Sequence, residues 1–265
     1  MSPIVLLWKW DGLAVVATLA AAALYAAVHR ARLGPRAAYF AAALAIFVLA
    51  LASPIGTLAD GYLFSAHMLQ HLLLVLIVPP LALLGLRERA GREGREGRAS
   101  PGGARSLVVA WGMGVGAMWL WHAPTLCNAA AQSEGVHRVQ ELTLVLMGLA
   151  FWWPVLSPVR AARVAPLAGM VYLFTACLSC TILGILVTFS PVEVCSVYVQ
   201  PVDRLGILPT LRGGWGLTPA RDQQIGGLLM WVPACFVYLS AILAMLGRFY
   251  REDHAPEGAQ GGQAG

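Results

Sequence analysis

The chain has 265 residues, of which 58% are hydrophobic and 12% charged, with a formal net charge of +5. So few charges cannot cover a soluble domain of this size, which excludes a soluble globular protein and points to a membrane one. Seventeen of the 18 basic residues are arginine and lie between apolar runs, not on one polar face, which excludes a nucleic-acid binder.

Hydropathy along the chain predicts spans near 12–29, 37–52, 62–86, 105–121, 137–156, 166–189 and 223–247, close to the roughly 20 residues a helix needs to cross a bilayer. The expected fold is all-α, a polytopic membrane bundle of about seven helices forming one domain over residues 1–250. Ahead of the first span only Lys9 stands against Asp11, and arginines follow it, so that span reads as retained, not as a cleaved signal. Arg30, Arg32, Arg36, six arginines between 87 and 105, Arg160, Arg163, Arg248 and Arg251 fall on one side. Only Lys9, Arg138, Arg204, Arg212 and Arg221 fall on the other. The positive-inside rule then puts the N-terminus outside and the C-terminus in the cytoplasm. The Gly- and Arg-rich stretch from about 87 to 104 reads as a cytoplasmic linker, about 190–221 as an outer loop, and 251–265 as a disordered cytoplasmic tail.

On the third span His67 and His71 are spaced i, i+4 and share one helical face, with Asp60 and Phe64 in line above. The fourth span ends in Met118, Trp119, Leu120, Trp121 and His122, a thioether and an imidazole again at i, i+4. His137 opens the fifth span with Glu141 one turn deeper. The seventh follows Thr218 and Pro219, a cap and a first-turn proline. It carries Asp222, Gln223, Gly226, Gly227, Met230 and Trp231, the glycines allowing close helix approach. Ionisable groups in a membrane usually face a cavity, a partner or a metal. The candidate ligands are therefore His67, His71, His122, Met230, His137, Met118 and Asp222. The alternatives are interhelical hydrogen bonding for the histidines, a helix-dipole role for Asp222 and packing for the methionines. Imidazole with thioether favours copper, Cu(I) in particular, over magnesium or calcium, with zinc also compatible. Ligation by histidine predicts that affinity falls as pH drops below about 6. No HExxH is present, since Gln70 precedes His71 and Ala66 precedes His67, so the chain does not read as an enzyme.

Cys127 and Cys195 lie in outer loops, on the oxidising side, where a bridge between them is expected. Cys177 and Cys180 at mid-span in the sixth helix read as small packing residues, with a soft-metal relay through the CxxC as the alternative, and Cys235 lies within the seventh. Pro79 and Pro80 predict a bend below His71.

Four segments, HMLQHLLLVLIVPPLALLG at 67–85, WHAPTLCNAA at 121–130, FWWPVLSP at 151–158 and DQQIGGLLMW at 222–231, resemble the CtaG-type cytochrome c oxidase assembly factors of bacteria. The resemblance runs from roughly residue 10 to 250 and keeps motif order. It implies a multi-pass protein of the bacterial plasma membrane, embedded in lipid, that helps deliver copper to a subunit of haem-copper cytochrome c oxidase, supplied by a periplasmic copper donor. The matching positions are His67, His71, Trp121, His122, Asp222, Gln223, Met230 and Trp231. Two positions depart from the pattern, Cys127 and Cys195 standing where aromatic residues are expected. Their joint presence fits a bridge, the alternative being that they accept copper from the donor. Rival readings are a copper transporter or resistance protein, and a b-type haem or quinone-linked redox protein holding haem between histidines of separate helices.

Overall fold

The computed structural model of the chain describes residues 7–29, 34–88 and 103–254. Among these residues the fold is all-helical: α1 (Gly12–His29), α2 (Pro35–Ala52), α3 (Pro54–Ala59), α4 (Phe64–Leu72), α5 (Val78–Gly85), α6 (Gly103–Trp121), α7 (Pro124–Gln132), α8 (Glu134–Leu156), α9 (Pro166–Phe189) and α10 (Pro219–Asp253). Each predicted span falls on a helix. Five units are long and apolar enough to cross a membrane: α2, the α4–α5 unit from Phe64 to Gly85, α8, α9 and α10. Helix α1 is apolar but shorter over Gly12–Val28, and α6 has 19 residues. On α9, Leu167, Val171, Phe174, Leu178, Ile182, Ile185 and Phe189 are exposed at helical spacing, as are Val232, Phe236, Leu239 and Leu243 on α10. Water would not tolerate such continuous apolar faces, so they are surfaces for lipid, and the protein is a membrane protein.

Local sequence sets the helix ends. Pro35, Pro54, Pro124, Pro166 and Pro219 all stand in a first turn, where a missing N–H costs nothing. Ser53 ends α2 and caps α3 through Ile55 N (3.2 Å), and Thr218 caps α10 through Arg221 N (3.3 Å). A π-helical turn over Leu73–Ile77 joins α4 to α5, and Pro79 and Pro80 stand in the first turn of α5. Helix α8 closes on that turn through Gly148, where a Cβ would lie 2.7 Å from Pro79 and 2.9 Å from the Val75 carbonyl oxygen.

Two boundaries differ from expectation. Helix α10 continues to Asp253, because Arg248 pairs with Glu252 at i, i+4 (2.7 Å) and extends the helix past the apolar run, so 251–253 are not disordered tail. The rest of the tail, 255–265, and most of the predicted linker, 89–102, lie outside the described residues. The outer loop ends at Thr218 and is not featureless, holding a 3-10 turn at Ser196–Tyr198 and a π-helical turn at Thr210–Gly214. The short α3 and α7 were not anticipated.

The two ends of the bundle carry different charge clusters. Beyond the C-terminal end of α8, Glu88 gathers Arg36 (3.4 Å), Arg160 (3.0 Å) and Arg163 (3.1 Å), tying α2, α5 and the α8–α9 connection. Hydrogen bonds from Arg160 and Arg163 hold the Glu88 carboxyl below its ordinary range. At the other end Asp11 caps α1 through Ala14 N (3.0 Å) and pairs with Arg138 of α8. Burial opposes its ionisation, but the Ala14 amide, Arg138 and Lys9 outweigh that and hold the carboxyl below its usual value. The stabilisation from this depressed carboxyl is present above about pH 4, the unfolded value, and is lost as pH falls through the lower folded one.

Candidate functional site

The site is built around α4, and its position is fixed from across the bundle. Leu63, at the N-cap of α4, supplies no side-chain acceptor, so the helix's first amides need partners from elsewhere. Asp222 of α10 provides them. Its carboxylate, fully buried, accepts from Phe64 N (2.8 Å), Ser65 N (3.0 Å) and Ser65 Oγ (2.6 Å), placing negative charge at the positive end of the α4 dipole. Arg212 stands 4.0 Å away and balances that charge.

The rest of DQQIGG clamps α10 to its neighbours. Gln223 accepts from Val194 N (2.8 Å) and donates to the Val187 and Val192 carbonyl oxygens (3.3 and 3.2 Å), which fastens the start of the outer loop. Gly226 faces α4, where a Cβ would lie 2.6 Å from Phe64 and 3.1 Å from Met68, and Gly227 faces Thr188 of α9. Gly226→Val is expected to overpack this contact, costing about 1–3 kcal/mol in thermal unfolding and displacing Met68.

Four histidines form a buried series. The rings of His67 and His71 are 4.2 Å apart between centroids, His67 and His137 5.6 Å, and His71 and His122 5.6 Å. Neither ring nitrogen of His67 or of His71 has a hydrogen-bond partner among the described residues, although both side chains are almost wholly buried. An unpaired buried imidazole is costly, and His67 and His71 together leave four such nitrogens.

His122 is held more tightly. Its Nδ1 lies 2.6 Å from the Met118 carbonyl oxygen, which can only accept, so Nδ1 carries the proton and Nε2 keeps a lone pair. That lone pair faces the thioether sulfur of Met68 at 3.1 Å. Trp121 Nε1 donates to Thr143 Oγ1 (2.9 Å) and Trp119 Nε1 to Ser179 Oγ (2.8 Å), anchoring this end of α6 to α8 and α9.

Met68, His71, Leu72, Leu76, Met118, His122 and Met230 line a cavity of about 10 Å³, room for a single ion or water. The donors around it are two imidazoles and three thioethers. Among the described residues no three His, Cys, Asp or Glu side chains converge closely enough to hold an ion.

Four of the seven candidate ligands, His71, His122, Met118 and Met230, thus line one cavity, and the His67 ring lies beside it, tilted against that of His71. Two stand apart. Asp222 spends both oxygens on α4. His137 sits in a polar network at the end of the bundle, 3.4 Å from Asp60 and 3.2 Å from Glu141, with Lys9 on Asp60 and Arg138 on Glu141 (3.0 Å). Met68 was missed by sequence reasoning, though it stands i−3 from His71 and shares its face. Gln140, fully buried with neither amide atom paired among the described residues, was also missed.

A disulfide joins Cys127 and Cys195, so the expected bridge is present and neither cysteine offers a thiol to copper. It pins the outer loop to α7, helped by Asn128, whose side-chain oxygen accepts from Ser196 Oγ (3.0 Å) and Val197 N (3.2 Å). Three residues past the bridge, Tyr198 drops into the bundle, donating to the Ala59 carbonyl oxygen (2.8 Å) with its ring 5.7 Å from that of His67. Replacing Cys127 and Cys195 with serine is expected to cost about 2–4 kcal/mol, read by thermal unfolding.

A family model for the cytochrome c oxidase caa3 assembly factor (Caa3_CtaG) matches residues 18–252 of the chain. Nothing among curated proteins or among solved structures matches it.

Proposed function

Since the chain belongs to the cytochrome c oxidase caa3 assembly factor family, we propose that it holds Cu(I) in the cavity between α4, α6 and α10 and passes that ion to an oxidase subunit during assembly. The copper is cargo, and the protein's role is delivery, not catalysis. The observation that carries this reading is the His122 Nε2 lone pair facing the Met68 sulfur at 3.1 Å, beside the unpaired nitrogens of His71. Soft thioethers with neutral imidazoles favour Cu(I) over harder cations. The membrane is the bacterial plasma membrane, with the Asp60 end of the bundle outside and the Glu88 end in the cytoplasm. The disulfide supports this orientation, because such bonds persist on the oxidising side.

On this reading His137, Glu141, Asp60 and the outer loop form the entrance, where a periplasmic donor docks. His67 receives the ion from that side, and His71, His122, Met68, Met118 and Met230 retain it. Anaerobic titration of the detergent-purified protein against a coloured Cu(I) chelator tests the reading. Met68→Leu with Met230→Leu, which keep size and remove sulfur, should lose one equivalent of Cu(I) relative to the native chain. Unchanged stoichiometry and affinity would remove the cavity from the account and favour a scaffold that holds the apo-subunit.

A further inference from the structure

A second set of soft donors lies outside this cavity, between α9 and α10. Cys177 was paired by sequence with Cys180, one turn away on the same helix. In the fold its sulfur instead lies 3.4 Å from that of Cys235 on α10, and the Thr181 hydroxyl lies 3.4 Å from the Cys235 sulfur. All three of Cys177, Cys180 and Cys235 are free cysteines. Packing between apolar helices does not call for two thiols and a hydroxyl turned toward one another, half-buried at mid-span.

Cys180 connects this pair to the interior. It bonds the carbonyl oxygen of Met230, the residue that lines the histidine–methionine cavity (3.3 Å). It also lines a second, apolar cavity of about 20 Å³ that shares Leu76 and Met118 with the first. Sulfur donors thus continue from Met118 and Met230 to Cys180, and Cys177 follows on the same face of α9.

We propose that Cys177 and Cys235 form a two-sulfur Cu(I) site between α9 and α10, separate from the histidine–methionine cavity. Cu(I) is the fitting ion because thiolates are soft donors. Binding loses one proton to the medium, leaving one thiolate and one thiol on the ion. The assembly is then neutral, which suits the membrane interior, where net charge is costly. The Thr181 hydroxyl is placed to donate to the Cys235 sulfur as it takes up charge. The site does not rest on the role given to the first cavity.

The test uses the full chain, purified anaerobically in detergent and titrated with Cu(I) as its bicinchoninate complex. Near-ultraviolet thiolate-to-copper absorption and copper stoichiometry are read together. Cys177→Ser with Cys235→Ser should lose that absorption and one equivalent of copper. His71→Ala with His122→Ala should keep the absorption. Single Cys177→Ala and Cys235→Ala variants, checked for monodispersity and unchanged melting, should each lose the absorption, because two donors are needed. Native absorption and stoichiometry in the double serine variant would overturn the proposal. So would loss of the band in the histidine variant, or fewer than three free thiols in the denatured, unreduced native chain.

Discussion

Replacing His71 and His122 together with alanine is expected to leave a folded protein that binds Cu(I) at the cavity at least about 100-fold more weakly, each lost ligand weakening affinity by about tenfold or more. In cells, the variant should yield an oxidase deficient in copper and in activity, near the level of a strain lacking the protein. The folded state should survive because neither ring nitrogen of His71 is hydrogen-bonded among the described residues, and His122 contributes only the bond to the Met118 carbonyl oxygen. Removing unpaired buried imidazoles relieves a desolvation cost and leaves a small apolar hollow. That combination, lost metal with retained stability, separates a ligand from a packing residue. His137→Ala should behave differently. It disturbs the Asp60 and Glu141 network, so it should slow copper entry while leaving the equilibrium affinity within about tenfold of native, a split read by comparing loading rate with titration.

Asp222→Ala should produce the opposite pattern, a large loss of stability preceding any effect on metal. The substitution strands the amides of Phe64 and Ser65 and leaves Arg212 without its carboxylate partner. Each buried unsatisfied donor costs about 1–3 kcal/mol, so a loss of about 3–5 kcal/mol is expected in detergent unfolding followed by helical circular dichroism. Asp222→Asn should recover part of it, because its Oδ1 can still accept from Ser65 N and Ser65 Oγ while its amide nitrogen faces the Phe64 N–H, where an acceptor is needed. Because Asp222 sets the start of α4, the surviving folded fraction should hold His67, Met68 and His71 out of register and bind Cu(I) less tightly. Were Asp222 a ligand instead, the alanine variant would lose copper at unchanged stability.

Much of this architecture is legible in the sequence, for a physical reason. A bilayer demands long apolar runs, and the seven runs map onto helices within a few residues. First-turn prolines and the Thr218 cap are local signals and appear where the chain places them. What depends on distant contact is less legible. The spacing of His67 and His71 gives their shared face but not that their nitrogens go unpaired. Asp222 offers a carboxylate at the right depth, and only the packing of α10 on α4 shows that it caps another helix's amides. Met68 was readable at i−3 from His71 but stood behind the histidines as an ordinary core residue. Tyr198 reaches the site from an irregular loop, where no periodicity announces it. The pairing of Cys177 with Cys235 is likewise a property of how α9 meets α10, not of the CxxC.

The most direct test of the account follows copper from donor to acceptor. The native protein, loaded anaerobically with one Cu(I) at the cavity and reconstituted in lipid, is mixed with a copper-depleted oxidase subunit, and copper on the re-isolated subunit is measured over time. The account predicts transfer from the native chain that outpaces uptake from a Cu(I) chelate of matched affinity and that vanishes with His71→Ala and His122→Ala. Equal uptake from the chelate alone, or full transfer from the histidine variant, would contradict it.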